Sequence, residues 1–178
     1  MIRKIKKLYF KILQYFSPIK HAERIGVKIG KDCVLLGRPD FGTEPYLITL
    51  GDHVMITGGC SFITHEGGHW VLKGLDKSYE KVFGYGRITI GNNVYIGTRS
   101  TILRGVSIED NVIVGARSLV NKSLPANGVY AGVPAKYICS LEEWKEKFIA
   151  DMPDYNIDEY KKDKKKEVLR IVDSFKKR

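Results

Sequence analysis

The sequence predicts an all-β core wound as a parallel β-helix, with α-helical appendages at its N- and C-terminal ends. Three observations predict it. Aliphatic residues recur at every sixth position from Ile90 through Ile96, Ile102, Ile108 and Val114 to Val120. A second row lies four residues after each of these and holds small or aliphatic side chains: Val94, Ser100, Val106, Val112, Ser118 and Leu124. Turn-forming residues punctuate the rows at Gly91, Asn92, Asn93, Gly97, Asp110, Asn111 and Gly115.

The period rules out an α-helix. At about 100° per residue, successive row members would lie about 240° apart and ring the helix. In extended chain, positions i, i+4 and i+6 share one face. A turn after every six residues closes three short strands into a coil of about 18 residues, and stacked coils turn the rows into columns inside a prism. Glycine and Asn/Asp supply the backbone freedom that such corners need. The same phase appears earlier in Leu50, Ile56 and Phe62, with Val54 and Cys60 in the second row, and Ile29 and Leu35 begin a weaker stretch. Residues 66–87 break the phase and read as an excursion from the prism. The expected organisation is an arm over 1–24, a β-helix domain over 25–136 with the excursion loop 66–87, and a helical extension over 137–178.

The arm places Ile2, Ile5, Tyr9, Ile12, Leu13 and Phe16 at helical spacing, with Arg3, Lys4, Lys6, Lys7 and Lys11 between them. This predicts a short basic amphipathic helix over 2–16, suited to an anionic membrane face, to capping the open end of the prism or to packing between subunits. The chain carries a formal charge of +10, and seven basic residues against one acid fall in the first 24 positions. A basic excess confined to one arm, without a recognition motif, argues against nucleic acid as partner. The tail after Lys136 predicts two helices divided near Pro153. No apolar run approaches the roughly 18 residues needed to span a bilayer, and the lysine-broken start lacks a secretory cleavage site. A cytoplasmic protein is expected, at the inner face of the membrane if the arm binds there. Cys33, Cys60 and Cys139 are odd in number and widely spaced, which suggests neither a disulfide framework nor a metal site.

The stretch ITIGNNVYIGTRSTILRGVSIEDNVIVGARSLVNKSLPANGVYAGVPAK resembles the hexapeptide-repeat acyltransferases. These include galactoside, maltose, serine and antibiotic acetyltransferases and the O-acetyltransferases of bacterial surface polysaccharides. The resemblance covers roughly residues 27–138, and its most specific piece is Gly132, Val133, Pro134, Ala135 and Lys136. It implies a left-handed coil, a homotrimer with active sites in the clefts between prisms, a histidine general base, and acetyl-CoA as co-substrate with no metal.

Acyl transfer from a thioester to a hydroxyl needs a proton acceptor, and an imidazole suits neutral pH. Of four histidines, His21 lies in the arm, and His53 sits in a corner where the family usually has Asn. His65, in FITHEGGHW, stands where the regular coil runs into the excursion, the place the family gives its base. His69 is the reserve candidate. A base histidine needs an orienting acceptor on its other nitrogen; Glu66, a backbone carbonyl and Asp52 are the candidates. By resemblance, Thr98 and Ala116 face the pantetheine arm of the donor and Lys122 and Lys136 its phosphates, and the charge of Arg117 suits those phosphates too. Cys139 replaces a basic residue that the family often carries. Among the aromatics of the excursion (Trp70, Tyr79, Phe83, Tyr85), Trp70 and Tyr85, together with Glu66, are expected to bind the acceptor, a glycan or small molecule.

The predicted reaction is O-acetylation of a sugar hydroxyl by direct attack, in surface polysaccharide biosynthesis. N-acetylation of an amino sugar and O-acetylation of an antibiotic fit the same donor. Two other classes stay open: a γ-type carbonic anhydrase using His65, His69 and either His53 or a neighbouring subunit's histidine on zinc, and a non-enzymatic scaffold.

Overall fold

A computed structural model describes residues 13–153 and 155–175. It shows a three-faced parallel β-helix. One face carries β1 (Lys28–Ile29), β3 (Ile48–Leu50), β8 (Ile88–Ile90) and β11 (Ser107–Ile108). A second carries β2 (Val34–Leu35), β4 (Val54–Ile56), β9 (Val94–Ile96), β12 (Val112–Val114), β14 (Gly128–Ala131) and β15 (Lys136–Ser140). The third carries β5 (Ser61–Ile63), β10 (Thr101–Leu103) and β13 (Leu119–Val120). Every pair within these faces is parallel except β14–β15.

Both sequence rows point inward. The first, from Ile90 to Val120, is at most 1% exposed, and the second, from Val94 to Leu124, at most 4%. Truncating one such isoleucine to alanine removes a buried side chain worth about 2–5 kcal/mol. Ser100 and Ser118 enter the apolar interior because their hydroxyls donate to the Gly115 carbonyl at 3.0 and 2.7 Å. The register locates the interruption. Val94 pairs with Val112, a single regular coil further along the chain. Val54 also pairs one coil up, with Val94, but the chain between them is longer than a coil by the whole span 66–87. That excess forms, from its neck outward and back, β6 (His65–Glu66), an α-helix (His69–Leu75), a 3-10 turn (Lys77–Lys81) and β7 (Gly84–Tyr85). Strands β6 and β7 pair antiparallel, so a two-stranded neck returns the chain to the prism.

Close coil-to-coil approach explains the corner residues. A Cβ on Gly97 would lie 2.4 Å from the Ala116 nitrogen, and one on Gly91 2.4 Å from Asp110 Oδ1. The corner of Gly91 and Asp110 also stacks Asp32, His53, Asn93, Asn111 and Asn127, all with φ between 54° and 59°. There Asn93 donates to Asn111 and Asn111 to Asn127, at 2.8 and 2.9 Å. His53 Nδ1 caps this ladder by donating to Asn93 Oδ1 at 2.9 Å, which accounts for His53 without a role in chemistry.

Both ends of the prism carry elements that do not follow the six-residue phase. Residues 2–12 of the predicted arm lie outside the described residues, and the helix that packs on the prism is Pro18–Ile25. It buries Ala22 fully and packs Ile19 and Ile25 on the core. Pro18 at its first turn and Gly26, left-handed with φ 112°, bound it. On this helix His21 is half-buried, and burial lowers its pKa. At the other end the repeat stops near Lys136, yet β15 pairs back along β14 as far as Ser140. An antiparallel return strand has no reason to keep the six-residue phase.

One compact unit ends at Leu141 and a second begins at Glu142. The tail forms three helical segments rather than two: Leu141–Ala150, Ile157–Lys162 and Lys164–Phe175. Within it Glu167, 4% exposed, accepts from Arg170 at 2.6 and 2.8 Å and from the Asn156 N–H at 3.0 Å. Arg170 above all, then the Asn156 N–H, lowers its pKa from 4.5 to about 2. A carboxyl depressed on folding stabilises the fold above its unfolded value, and this is lost as pH falls through the folded one. Helicity of residues 155–175 should therefore fall between pH 4.5 and about 2, and Glu167→Gln should remove that acid-dependent part. Circular dichroism against pH checks it; an unchanged acid transition in the variant would refute the assignment. Among the described residues no helix is long and apolar enough to cross a membrane.

Candidate active site

The neck of the excursion builds a cleft of about 280 Å³ lined by Thr43, Glu44, His65, Glu66, His69, Phe83, Gly84 and Tyr85. His65 enters it from β6, directly after the fully buried Thr64. Its Nδ1 lies 2.9 Å from Glu44 Oε2, and its side chain is 43% exposed against 15% for Glu44. The same Glu44 oxygen accepts the Thr64 hydroxyl at 2.7 Å, and Oε1 accepts the Thr43 hydroxyl at 2.7 Å. The Thr64 hydroxyl first, then that of Thr43, holds the Glu44 carboxyl below the ordinary glutamate range against partial burial, and His65 adds to this. An ionised carboxylate only accepts, so Nδ1 carries the hydrogen and neutral His65 presents a bare Nε2.

Glu44 was not among the sequence candidates for orienting His65. The two carboxylates that were candidates are engaged elsewhere. Asp52 Oδ1 accepts the Lys31 N–H at 2.7 Å. Glu66 Oε1 accepts the Gly68 N–H at 2.9 Å, and its Oε2 lies 3.9 Å from Arg104 Nε. Glu44 belongs to the coil before β3, where Asp40 bridges to Ser61 and Phe41 stacks on Phe62 at 5.2 Å. Thr43 and Glu44 thus sit beside Thr64 and His65 at one corner of the prism.

His69 lines the same cleft, its Nδ1 2.6 Å from the Glu66 carbonyl. Its ring lies 5.2 Å from that of Phe83, which stacks on Tyr85 at 6.2 Å and 17° and carries the Lys73 ammonium 4.4 Å from its centroid. Glu66 and Tyr85, two of the residues expected to bind the acceptor, line the cleft. Trp70 does not line it and stands 79% exposed.

The residues assigned to the donor divide between two corners. Thr98, Ala116 and Arg117 stack at the corner between the β9/β12 and β10/β13 faces, where the Arg117 N–H donates to the Thr98 carbonyl at 2.8 Å. All three are exposed, and Lys136 follows at the turn into β15. Lys122 lies after β13 on the corner that carries His65, further along the prism. Within one chain, the face holding β5, β10 and β13 therefore separates His65 from Thr98 and Ala116. The third histidine of a zinc reading, His53, is on the remaining corner, so one chain does not bring His53 to His65 and His69.

A family model described as bacterial transferase hexapeptide (six repeats) matches residues 87–122. The chain is 41% identical over 147 residues to Protein CapG of Staphylococcus aureus, covering 82% of this chain and 84% of CapG. It is 36% identical over 129 residues to WcaF of Escherichia coli (strain K12), provisionally named a colanic acid biosynthesis acetyltransferase, covering 64% of this chain and 69% of WcaF. A galactoside acetyltransferase solved in complex with coenzyme A superposes with a TM-score of 0.55 at 26% identity, over 80% of this chain and 84% of that one. The chain belongs to the hexapeptide-repeat acyltransferases. It is an enzyme of that class, and its solved neighbours imply a left-handed winding of the coil.

Proposed function

We propose that the protein transfers an acetyl group from acetyl-CoA to a sugar hydroxyl, with His65 as general base. The observation that carries this is the Thr64–Glu44–His65 arrangement, which fixes the tautomer that leaves Nε2 free. In the direct-attack reaction, His65 Nε2 takes the proton as the acceptor oxygen bonds to the thioester carbon. The imidazolium so formed is stabilised by ionised Glu44, and it returns the proton to the departing thiolate as the carbon–sulfur bond breaks. The thioester supplies an activated acyl group that needs no covalent enzyme intermediate.

The chain's residues fit acetyl-CoA. The Thr98–Ala116 corner offers exposed backbone and a hydroxyl, and Arg117, Lys122 and Lys136 are exposed cations without an ion-pair partner among the described residues. The separation of Thr98, Ala116 and Arg117 from His65 supports a site assembled between copies, as in a homotrimer. The wall formed by Phe83 and Tyr85 supports a sugar ring as acceptor, its C–H face against the aromatics. The likeness to WcaF supports a surface polysaccharide as its setting.

The reading predicts acetyl-CoA-dependent release of free thiol that requires a sugar, with an O-acetyl ester in the product. Thiol assay and mass spectrometry across a panel of glycosides and amino sugars check it. An amide product would move the assignment to N-acetylation, and no product across the panel would overturn it.

A further inference from the structure

We propose that His69 sets acceptor specificity, its Nε2 accepting a hydrogen bond from a ring hydroxyl other than the one acylated. This rests on the sugar-acetylation reading and extends it to a class: rings that offer at least two free hydroxyls along one edge.

His69 Nδ1 lies 2.6 Å from the Glu66 carbonyl oxygen. A carbonyl accepts and never donates, so Nδ1 carries the hydrogen and the neutral ring has its lone pair on Nε2. The ring is held at both sides, by that bond and by Phe83 at 5.2 Å. Two imidazoles with free Nε2 atoms therefore line one cleft. Their anchors differ, and the difference divides the labour. His65 leans on a carboxylate kept ionised by two threonine hydroxyls, which stabilises the imidazolium formed when a proton is taken. His69 leans on a neutral carbonyl, which offers much less to a cation. His69 is thus fitted to accept a hydrogen bond and not to carry away a proton. A lone alcohol satisfies only one of the two nitrogens. A sugar lying on Phe83 and Tyr85 places several hydroxyls at its rim and satisfies both.

The test uses the full chain with acetyl-CoA, a set of methyl hexopyranosides and the monodeoxy analogue of each. For the best glycoside, His69→Ala should raise acceptor KM by about tenfold, the scale of one lost hydrogen bond, with the loss on KM rather than kcat. One deoxy analogue should show the same penalty in the wild type, and His69→Ala should add nothing further to it. His69→Gln, whose amide oxygen also accepts, should recover part of the loss. A fall in kcat at unchanged KM would make His69 a base and overturn the proposal. So would unchanged kinetics, or penalties that add for every deoxy analogue. Failure of the wild type to acetylate any glycoside marks a different fault, that of the sugar-acetylation reading, and takes this proposal with it.

Discussion

His65→Ala should lower acetyl transfer by at least ~100-fold, the scale of losing a positioned general base, while thermal unfolding stays close to wild type. The ring is 43% exposed and fills no core position, so its loss removes chemistry and little packing. Glu44→Gln is the sharper experiment. The glutamine amide can present an N–H to Nδ1, which would turn the imidazole to the tautomer with its hydrogen on Nε2, where no proton can be accepted. A loss approaching that of His65→Ala is expected from a change that keeps shape and volume. Glu44 also carries a pH signature. Its carboxyl is depressed below 4.5 by Thr64 and then Thr43, so its contribution to stability is present above that value and fades as pH falls through the lower folded one. Glu44→Gln should flatten that acid limb. Initial rates of thiol release and melting curves against pH measure both. Full activity in His65→Ala would remove it from the mechanism. Full activity in Glu44→Gln would mean that the carboxylate does not orient the base.

The prism was legible because its signal is periodic. Column-forming residues such as Ile96 and Ile102 must recur every sixth position, whatever lies outside the coil. Glu44 was not legible, yet the signal was within reach. Ile29 and Leu35 begin a row that continues, at the next sixth position, to Phe41, which is buried against Phe62. Glu44 follows Phe41 by the same three positions by which His65 follows Phe62. Carrying the weak row one step further would have stacked the two. The contents of the excursion resist such reading for a physical reason. His65 pairs with Tyr85 across the whole excursion, with no repeat between them, and the tautomer of His69 depends on one backbone carbonyl. Trp70 shows the weakness of choosing residues by type: an aromatic in an irregular segment need not face the site. Helix Pro18–Ile25 was legible in principle, since it is strongly amphipathic and is marked at its ends by Pro18 and Gly26, but it begins just beyond the helical spacing read over residues 2–16.

Mixing two inactive variants should restore activity. His65 lies on one corner of the prism and Thr98, Ala116 and Arg117 on another, with the face of β5, β10 and β13 between them. In the proposed site the two corners come from different copies of the chain. If two copies in a ring each lend a corner, every site joins one chain's His65 to its neighbour's Ala116. Homo-oligomers of His65→Ala lack the base at every site. Homo-oligomers of Ala116→Trp keep the base, but the indole fills the exposed corner assigned to the donor. In a random equal mixture of trimers, about one site in four joins an intact His65 to an intact Ala116. Co-expression with two tags should therefore recover about a quarter of wild-type activity from two variants that are each near zero. Folding of each variant alone is checked by its melting curve and its mass in solution. No recovery from a mixture shown to contain both chains in one oligomer would place base and donor within a single chain, and the division of the prism's corners would then need another explanation.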